Sequence, residues 1–301
     1  MGHVVDNLKP SSSARLVEHA QHPSAPAAHY SGRKTAGAHV SARNRIKDIL
    51  GRAADAAGIY QHKFRSKMVV VVFHRVNDWM AEDGITCNAA RFESFCRFFA
   101  QHFRIVPLAE QVTGCREWRD MGGTLSITFD DGYQDNFEVA APILRKLALP
   151  ATFFVTTAFI GTEYAPPWDQ QLVPRPAWMS WDQVRALRDQ GFDIGAHTDS
   201  HLDLGQADVE AVRAELAACR EKLYRELRLP PKLFAYPFGG RENMSSRSLA
   251  LVREAGFECC LSACGGVNPP VADPFQLNRI NINEWFVTPH QLGFELVARR
   301  A

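Results

Sequence analysis

Two short stretches of this chain carry side chains able to hold a metal ion beside a base. Thr128-Phe129-Asp130-Asp131-Gly132 places two carboxylates at the end of a β-rich run, Thr124-Leu125-Ser126-Ile127-Thr128-Phe129. His197-Thr198-Asp199-Ser200-His201 places two imidazoles four residues apart, after the apolar run from Phe192 to Ala196. One carboxylate with two imidazoles (Asp131, His197 and His201) is a facial ligand set. It leaves coordination positions open for water and substrate, as a catalytic site requires. The neighbouring Asp130 is then free to act as a base on a water activated there. Taken singly, Asp-Asp-Gly is turn chemistry, and a His-x3-His pair also occurs on surfaces and in satisfied cores. Their shared placement joins them: both end apolar strands, with Asp131 and His197 66 positions apart. That suits a site at the carboxyl edge of a parallel sheet.

The elements needed to position these residues can be read from the spacing of apolar side chains. A strand is expected at 68–73, running Val69-Val70-Val71-Val72-Phe73 into His74, Arg75 and Val76. Phe92, Phe95, Phe98 and Phe99 recur at helical spacing and predict a core-packed helix. Ile105-Val106-Pro107-Leu108 is a short strand, Tyr133 to Leu147 a helix, and Ala151 to Val155 a strand. Gly161 to Pro176, rich in Pro and aromatic residues, is expected as a rim loop. Ser180-Trp181-Asp182-Gln183 opens a helix with a capping box that ends at Gly191. Asp208 to Leu227 is amphipathic, with Val212, Leu216, Cys219 and Leu223 inward. Leu233 to Tyr236 is expected as a strand, and Ser245 to Ala255 as a helix closed by Gly256. Alternating strands and helices argue for a parallel α/β barrel with helices outside. Residues 1–44, rich in Ser, Ala, His and Pro, are expected to be a disordered tail. Residues 45–63 form a helical lead-in, where Ile46, Ile49, Leu50 and Ala53 fall at helical spacing in a helix that packs on the domain or tethers the tail. Residues 64–301 are the catalytic domain.

In these motifs the chain resembles the polysaccharide deacetylases, the NodB homology domain of the family 4 carbohydrate esterases. Thr128 to Gly132 is similar to that family's first motif and His197 to His201 to its second. Ala235-Tyr236-Pro237-Phe238-Gly239 is similar to the third as exopolysaccharide-type members carry it, and Val69 to Val76 also fits that branch. The resemblance runs from about Met68 to Asn283. It implies a distorted (β/α)7 barrel, one divalent metal ion (most plausibly zinc) on Asp131, His197 and His201, and Asp130 as base. It also implies the backbone N–H of Phe238 as an oxyanion donor, with Tyr236 and Tyr133 near the substrate. Two departures stand out. The usual arginine that orients the base is Ala235 here, and Arg279 in Leu277-Asn278-Arg279-Ile280-Asn281 is the candidate replacement. The usual acid histidine is missing between Leu277 and Trp285. His74, at the end of the first strand, is the candidate proton donor, with a structural histidine as the rival reading. Trp168 and Trp178 suit either sugar stacking or packing.

A length of 301 residues accommodates one such domain with a tail. The net charge of +1 gives no overall electrostatic reason to expect nucleic acid or an anionic membrane as partner. No apolar run is long enough to span a membrane, and no secretory signal is evident. Seven cysteines without a C-x-x-C pair argue against a disulfide framework and for a reducing compartment, hence the cytoplasm. The expected activity is metal-dependent removal of N-acetyl groups from an N-acetylated sugar or polysaccharide. A C–N hydrolase acting on a non-sugar amide and a catalytically silent carbohydrate-binding protein are the alternatives. The oligomeric state is not legible.

Overall fold

A computed structural model describes residues 42–299. Most of the expected tail, 1–41, lies outside the described residues, but its last three positions do not belong to a tail. They open the first helix, α1 (Ala42–Ala56), which is followed by α2 (Ile59–Phe64). The lead-in is therefore two helices, broken at Gly58, which adopts φ 70°. Tyr60 and Phe64 of α2 are buried.

The domain proper runs β1 (Val69–Phe73), β2 (Arg75–Val76), β3 (Thr86–Cys87), α3 (Ala89–His102), β4 (Arg104–Ile105), α4 (Leu108–Arg116) and β5 (Thr124–Phe129). A π-helical turn, Asn136–Ala140, then leads into α5 (Ala141–Lys146). The expected single helix from Tyr133 is thus opened by an underwound, wider turn. Beyond it lie β6 (Thr152–Val155), α6 (Trp181–Asp189), β7 (Asp193–Ala196), α7 (Val209–Leu227), α8 (Ser246–Glu254), β8 (Ile280–Asn281) and α9 (Pro289–Ala298). The capping box foreseen for α6 is present at Ser180, and α7 is capped by Asp208, which accepts from the Ala211 N–H. Gly161 to Pro176 is irregular, as expected of a rim loop.

The sheet closes on itself. Parallel ladders join β7 to β6, β6 to β5, β5 to β1 and β1 to β8. From β7 the ring continues through single parallel bridges, Ala196 to Phe234, Ala235 to Leu261 and Leu261 to Leu277, back to β8. Counting the bridged segments as staves gives the seven of a distorted (β/α)7 barrel. The strand expected at Leu233–Tyr236 is reduced to bridge pairs at Phe234 and Ala235. The centre is aromatic. Phe129 stacks on Phe153 at 4.7 Å and on Phe73 at 5.7 Å, and Phe92 of α3 meets Phe73 edge-on at 4.9 Å.

Candidate metal centre

The carboxyl ends of β5 and β7 bring the two sequence motifs together. Asp130 continues the ladder past β5, its N–H donating to the Phe73 carbonyl at 3.0 Å. At Asp131 the backbone turns into the left-handed region, φ 73°, followed by Gly132 at φ 93°. A Cβ on Gly132 would lie 2.7 Å from the Ile160 side chain, so glycine is required there both by conformation and by space. After β7, Thr198 and His201 also have positive φ, 63° each. Non-glycine residues in this region store strain and concentrate at functional sites.

One ligand atom from each of Asp131, His197 and His201 lies within 4.8 Å of the others, and all three residues are buried. The Nε2 atoms of His197 and His201 are each 3.4 Å from Asp131 Oδ1. His197 Nδ1 lies 2.9 Å from the Ala235 carbonyl. Because a carbonyl only accepts, Nδ1 carries the proton and the Nε2 lone pair faces Asp131. Asp131 Oδ1 is buried without a hydrogen-bond partner, as is His201 Nδ1. An orphaned carboxylate oxygen facing two imidazole nitrogens is the donor set a divalent cation satisfies, so the residues present fit the metal. Burial disfavours the charge on Asp131, but the adjacent His197 and His201 imidazoles outweigh it and hold the carboxyl well below the usual range. His197 is pushed up: desolvation opposes its charge, and Asp130 and Asp131 overcome that.

Arg279 is fully buried. Its Nη1 and Nη2 donate to Asp130 Oδ1 and Oδ2, both at 2.7 Å, and its Nε donates to the Ser262 carbonyl at 2.9 Å. Burial again opposes ionisation, and Arg279, then His197, bring the Asp130 carboxyl below its ordinary range. The structure thus brings Arg279 onto Asp130, the place the sequence reading gave it, while Ala235 contributes only its carbonyl to His197. His74 interacts with both carboxylates. Its imidazole is held below the usual value, chiefly by burial, with Asp131 and Asp130 pulling the other way. Its Nδ1 is buried without a partner. Phe238 is 43% exposed with φ 61°, and among the described residues its N–H has no acceptor. Its ring meets His201 at 4.6 Å.

Two residues expected at the substrate sit elsewhere. Tyr236 is buried and points toward α8, its hydroxyl 3.4 Å from Ser248 Oγ, because alternation along the short stave turns it away from the barrel mouth. Tyr133 is also fully buried. Its hydroxyl donates to Asp169 Oδ2 at 2.8 Å and accepts from Trp168 Nε1 at 3.0 Å, and its ring stacks on Trp178 at 4.5 Å. Trp178 therefore packs, whereas half-buried Trp168 lies 4.8 Å from the His201 ring. Sequence reasoning missed the anchor of this wall. Arg75 reaches Asp169 Oδ1 at 2.7 Å, Asp83 Oδ2 at 2.8 Å and Thr86 Oγ1 at 2.9 Å. Its only trace in the sequence is a charged residue just past the apolar run Val69 to Phe73, and a single Asp in an aromatic loop. Asp135 is also buried. Its carboxylate accepts from Asn77 Nδ2 at 2.7 Å and Asn136 Nδ2 at 2.9 Å, and Asn136 also donates to the His74 carbonyl at 2.6 Å.

A closed parallel barrel with an Asp-His-His cluster and an arginine-held aspartate at its mouth defines a metal-dependent hydrolase architecture. Residues 119–260 match the polysaccharide deacetylase family profile. It is 23% identical over 157 residues to the Bacillus subtilis protein YxkH, an alignment covering 52% of this chain and 50% of that one. It is 28% identical over 103 residues to the peptidoglycan-N-acetylmuramic acid deacetylase PdaA of Bacillus subtilis, 34% of this chain and 33% of that one. It is also 23% identical over 207 residues to a Staphylococcus aureus poly-beta-1,6-N-acetyl-D-glucosamine N-deacetylase, 65% of this chain and 68% of that one. The match thus spans half the length of YxkH and a third of PdaA. The fold is shared with the Streptococcus pyogenes deacetylase PplD, with TM-score 0.64, 21% identity and coverage of 75% of this chain and 96% of that one. It is likewise shared with IcaB from Ammonifex degensii, with TM-score 0.63, 22% identity and coverage of 77% and 97%. Among the described residues no helix is long and apolar enough to cross a membrane, and the seven cysteines are free.

Proposed function

We propose that this chain is a metal-dependent N-deacetylase of an N-acetylated sugar or polysaccharide, with zinc held by Asp131, His197 and His201. The observation that carries the reading is the buried Asp-His-His cluster with Asp130 clamped beside it by both Nη atoms of Arg279. When bound, the metal supplies Lewis acidity toward the acyl oxygen and toward water. Asp130, kept ionised by Arg279, accepts the proton of the attacking water. The free N–H of Phe238 donates to the oxygen on which charge develops. His74 starts mostly neutral near pH 7, because burial lowers its pKa, so it protonates the departing amine only after gaining a proton itself. Trp168 beside His201 offers a face for the sugar ring. Seven unpaired thiols support a reducing compartment, consistent with the cytoplasm.

The test is acetate release from N-acetylhexosamine oligomers with and without chelator. Activity that chelator removes and zinc restores is expected, and His201→Ala should lose both metal and turnover. If His201→Ala kept stoichiometric metal, the ligand assignment would fail. No acetate from any oligomer with metal loaded would remove the deacetylase reading.

A further inference from the structure

The apolar stripe of α1 points away from the domain. Ile46 is 57% exposed, Ile49 65% and Leu50 46%, with Ala53 also exposed between them. The helix instead packs through Asn44 and Gly51, where a Cβ on Gly51 would lie 2.0 Å from the His290 carbonyl oxygen of α9. Lys47 and Asp48 tie down the same inner side, to Glu295 at 2.6 Å and Thr288 Oγ1 at 2.5 Å. Ordinary surface helices bury the apolar stripe and expose the charges, and α1 does the reverse. Arginines edge the exposed stripe. Arg43 lies seven residues before Leu50 on one side, and Arg45 lies four before Ile49 and seven before Arg52 on the other. Arg43 and Arg45 make no ion pair among the described residues, whereas Arg52 pairs with Asp48 at 3.0 Å. Trp285, 47% exposed, extends the Leu50 edge beside Lys47, whose Nζ lies 5.3 Å from its ring centre.

We propose that the outer face of α1 is a docking surface for an anionic lipid bilayer, lying in the headgroup plane with Ile46, Ile49 and Leu50 inserted and Arg43 and Arg45 on the phosphates. An apolar stripe with cationic edges and a flanking tryptophan is the pattern of interfacial helices. Charge selects this occupant over two others. A second copy would bring the same arginines against these, while the acids of α1, Asp48 and Asp55, are turned inward and engaged. Residues 1–41 carry Lys9, Arg15, Arg33 and Lys34 against only Asp6 and Glu18, so they too are basic. A surface with apolar depth and negative headgroups complements both features. The overall charge of +1 conceals this local edge. The inference does not depend on the deacetylase reading.

The test is co-sedimentation of the full chain with vesicles of phosphatidylcholine alone or mixed with phosphatidylglycerol. Binding is expected to the mixed vesicles, to weaken with salt, and to fall at least about tenfold in Ile49→Glu/Leu50→Glu. Arg43→Glu/Arg45→Glu should cost about tenfold or more on mixed vesicles, since each basic residue near such a surface contributes roughly fivefold. These positions are exposed, so circular dichroism and the melting temperature should stay as in wild type. Failure of wild type to sediment, or equal sedimentation of the double glutamate variant, would overturn the proposal. So would a dimer by light scattering that the variant dissolves, because the face would then belong to a second copy.

Discussion

Arg279 and Arg75 are both buried and both clasp a buried carboxylate at 2.7 Å, yet the two carboxylates are driven in opposite directions. Asp130 is held below its ordinary range and Asp169 is raised above it. Burial is the largest influence on each and pushes both upward. The difference lies in how many carboxylates share the cation. Arg279 gives both Nη atoms to Asp130, and His197 and His74 add to its pull. Arg75 divides itself among Asp169, Asp83 and Thr86, and the nearby Asp131 repels Asp169. On the proposed reading one pair prepares a base, and the other fastens Tyr133, Trp168 and the rim loop as a wall over His201. A buried ion pair is therefore not a role in itself, and its neighbours decide what it does.

The reactive pair should give the largest effects. Asp130→Asn is expected to retain the metal and lose about 10²–10⁴-fold in turnover, because an amide cannot accept the proton. Arg279→Met leaves Asp130 as a buried charge without its partner. It should cost about 3–5 kcal/mol of stability in denaturant titration. Wild-type turnover in Asp130→Asn would erase the distinction between the two pairs.

On the rim, Tyr133→Phe removes the hydroxyl linking Asp169 to Trp168, a loss of about 1–3 kcal/mol at most. Metal content should stay stoichiometric, and turnover on oligomers should fall less than about tenfold. Loss of metal in this variant would make the rim part of the metal centre and sink the comparison.

The smallest effect concerns pH. Burial pushes Asp135 up to about 6, and its bonds to Asn77 and Asn136 offset that only in part. A carboxyl whose folded pKa exceeds its unfolded value contributes stability below the unfolded pKa, and that stability is lost as pH rises through the folded one. Asp135 should thus make the protein less stable between pH about 4 and about 7, by up to about 3 kcal/mol at 1.4 kcal/mol per pKa unit. Asp135→Asn should flatten that part of the stability–pH curve. An unchanged curve would show that Asp135 is already ionised in the fold.

Where local pattern and global packing agree, the sequence is a good guide. The inward residues of α7, the Ser180 box and the apolar runs of β1 and β5 all appear as their spacing says. Asp131 and His197 were legible because each follows a strand whose apolar run is itself readable, and His201 because it stands four residues after His197. The stripe of α1 has the same periodicity as that of α7 but the opposite orientation. Periodicity reports that one face differs from the rest and says nothing about which face meets the domain. Arg75 and Asp169 stand 94 positions apart and carry no spacing signal, since only the closed barrel makes them neighbours. Tyr236 was misplaced for a similar reason: its direction depends on a stave pinned by single bridges.

The barrel wall is built of two materials. From β8 through β1, β5 and β6 to β7 it is hydrogen-bonded ladder, and from Phe234 to Leu277 it is single bridges. Asp130, Asp131 and His197 stand on the laddered arc. Phe238 rises from the bridged one, and Arg279 sits where that arc rejoins β8, its Nε fastened to Ser262 on the bridged side. Partial openings start where fewest backbone bonds must break. The looser arc should part first, taking Phe238 and the Arg279 hold on Asp130 with it, while Asp131 and His197 stay on the laddered arc and His197 loses its bond to the Ala235 carbonyl. Such a molecule goes idle before it unravels and recovers by closing one seam rather than by refolding.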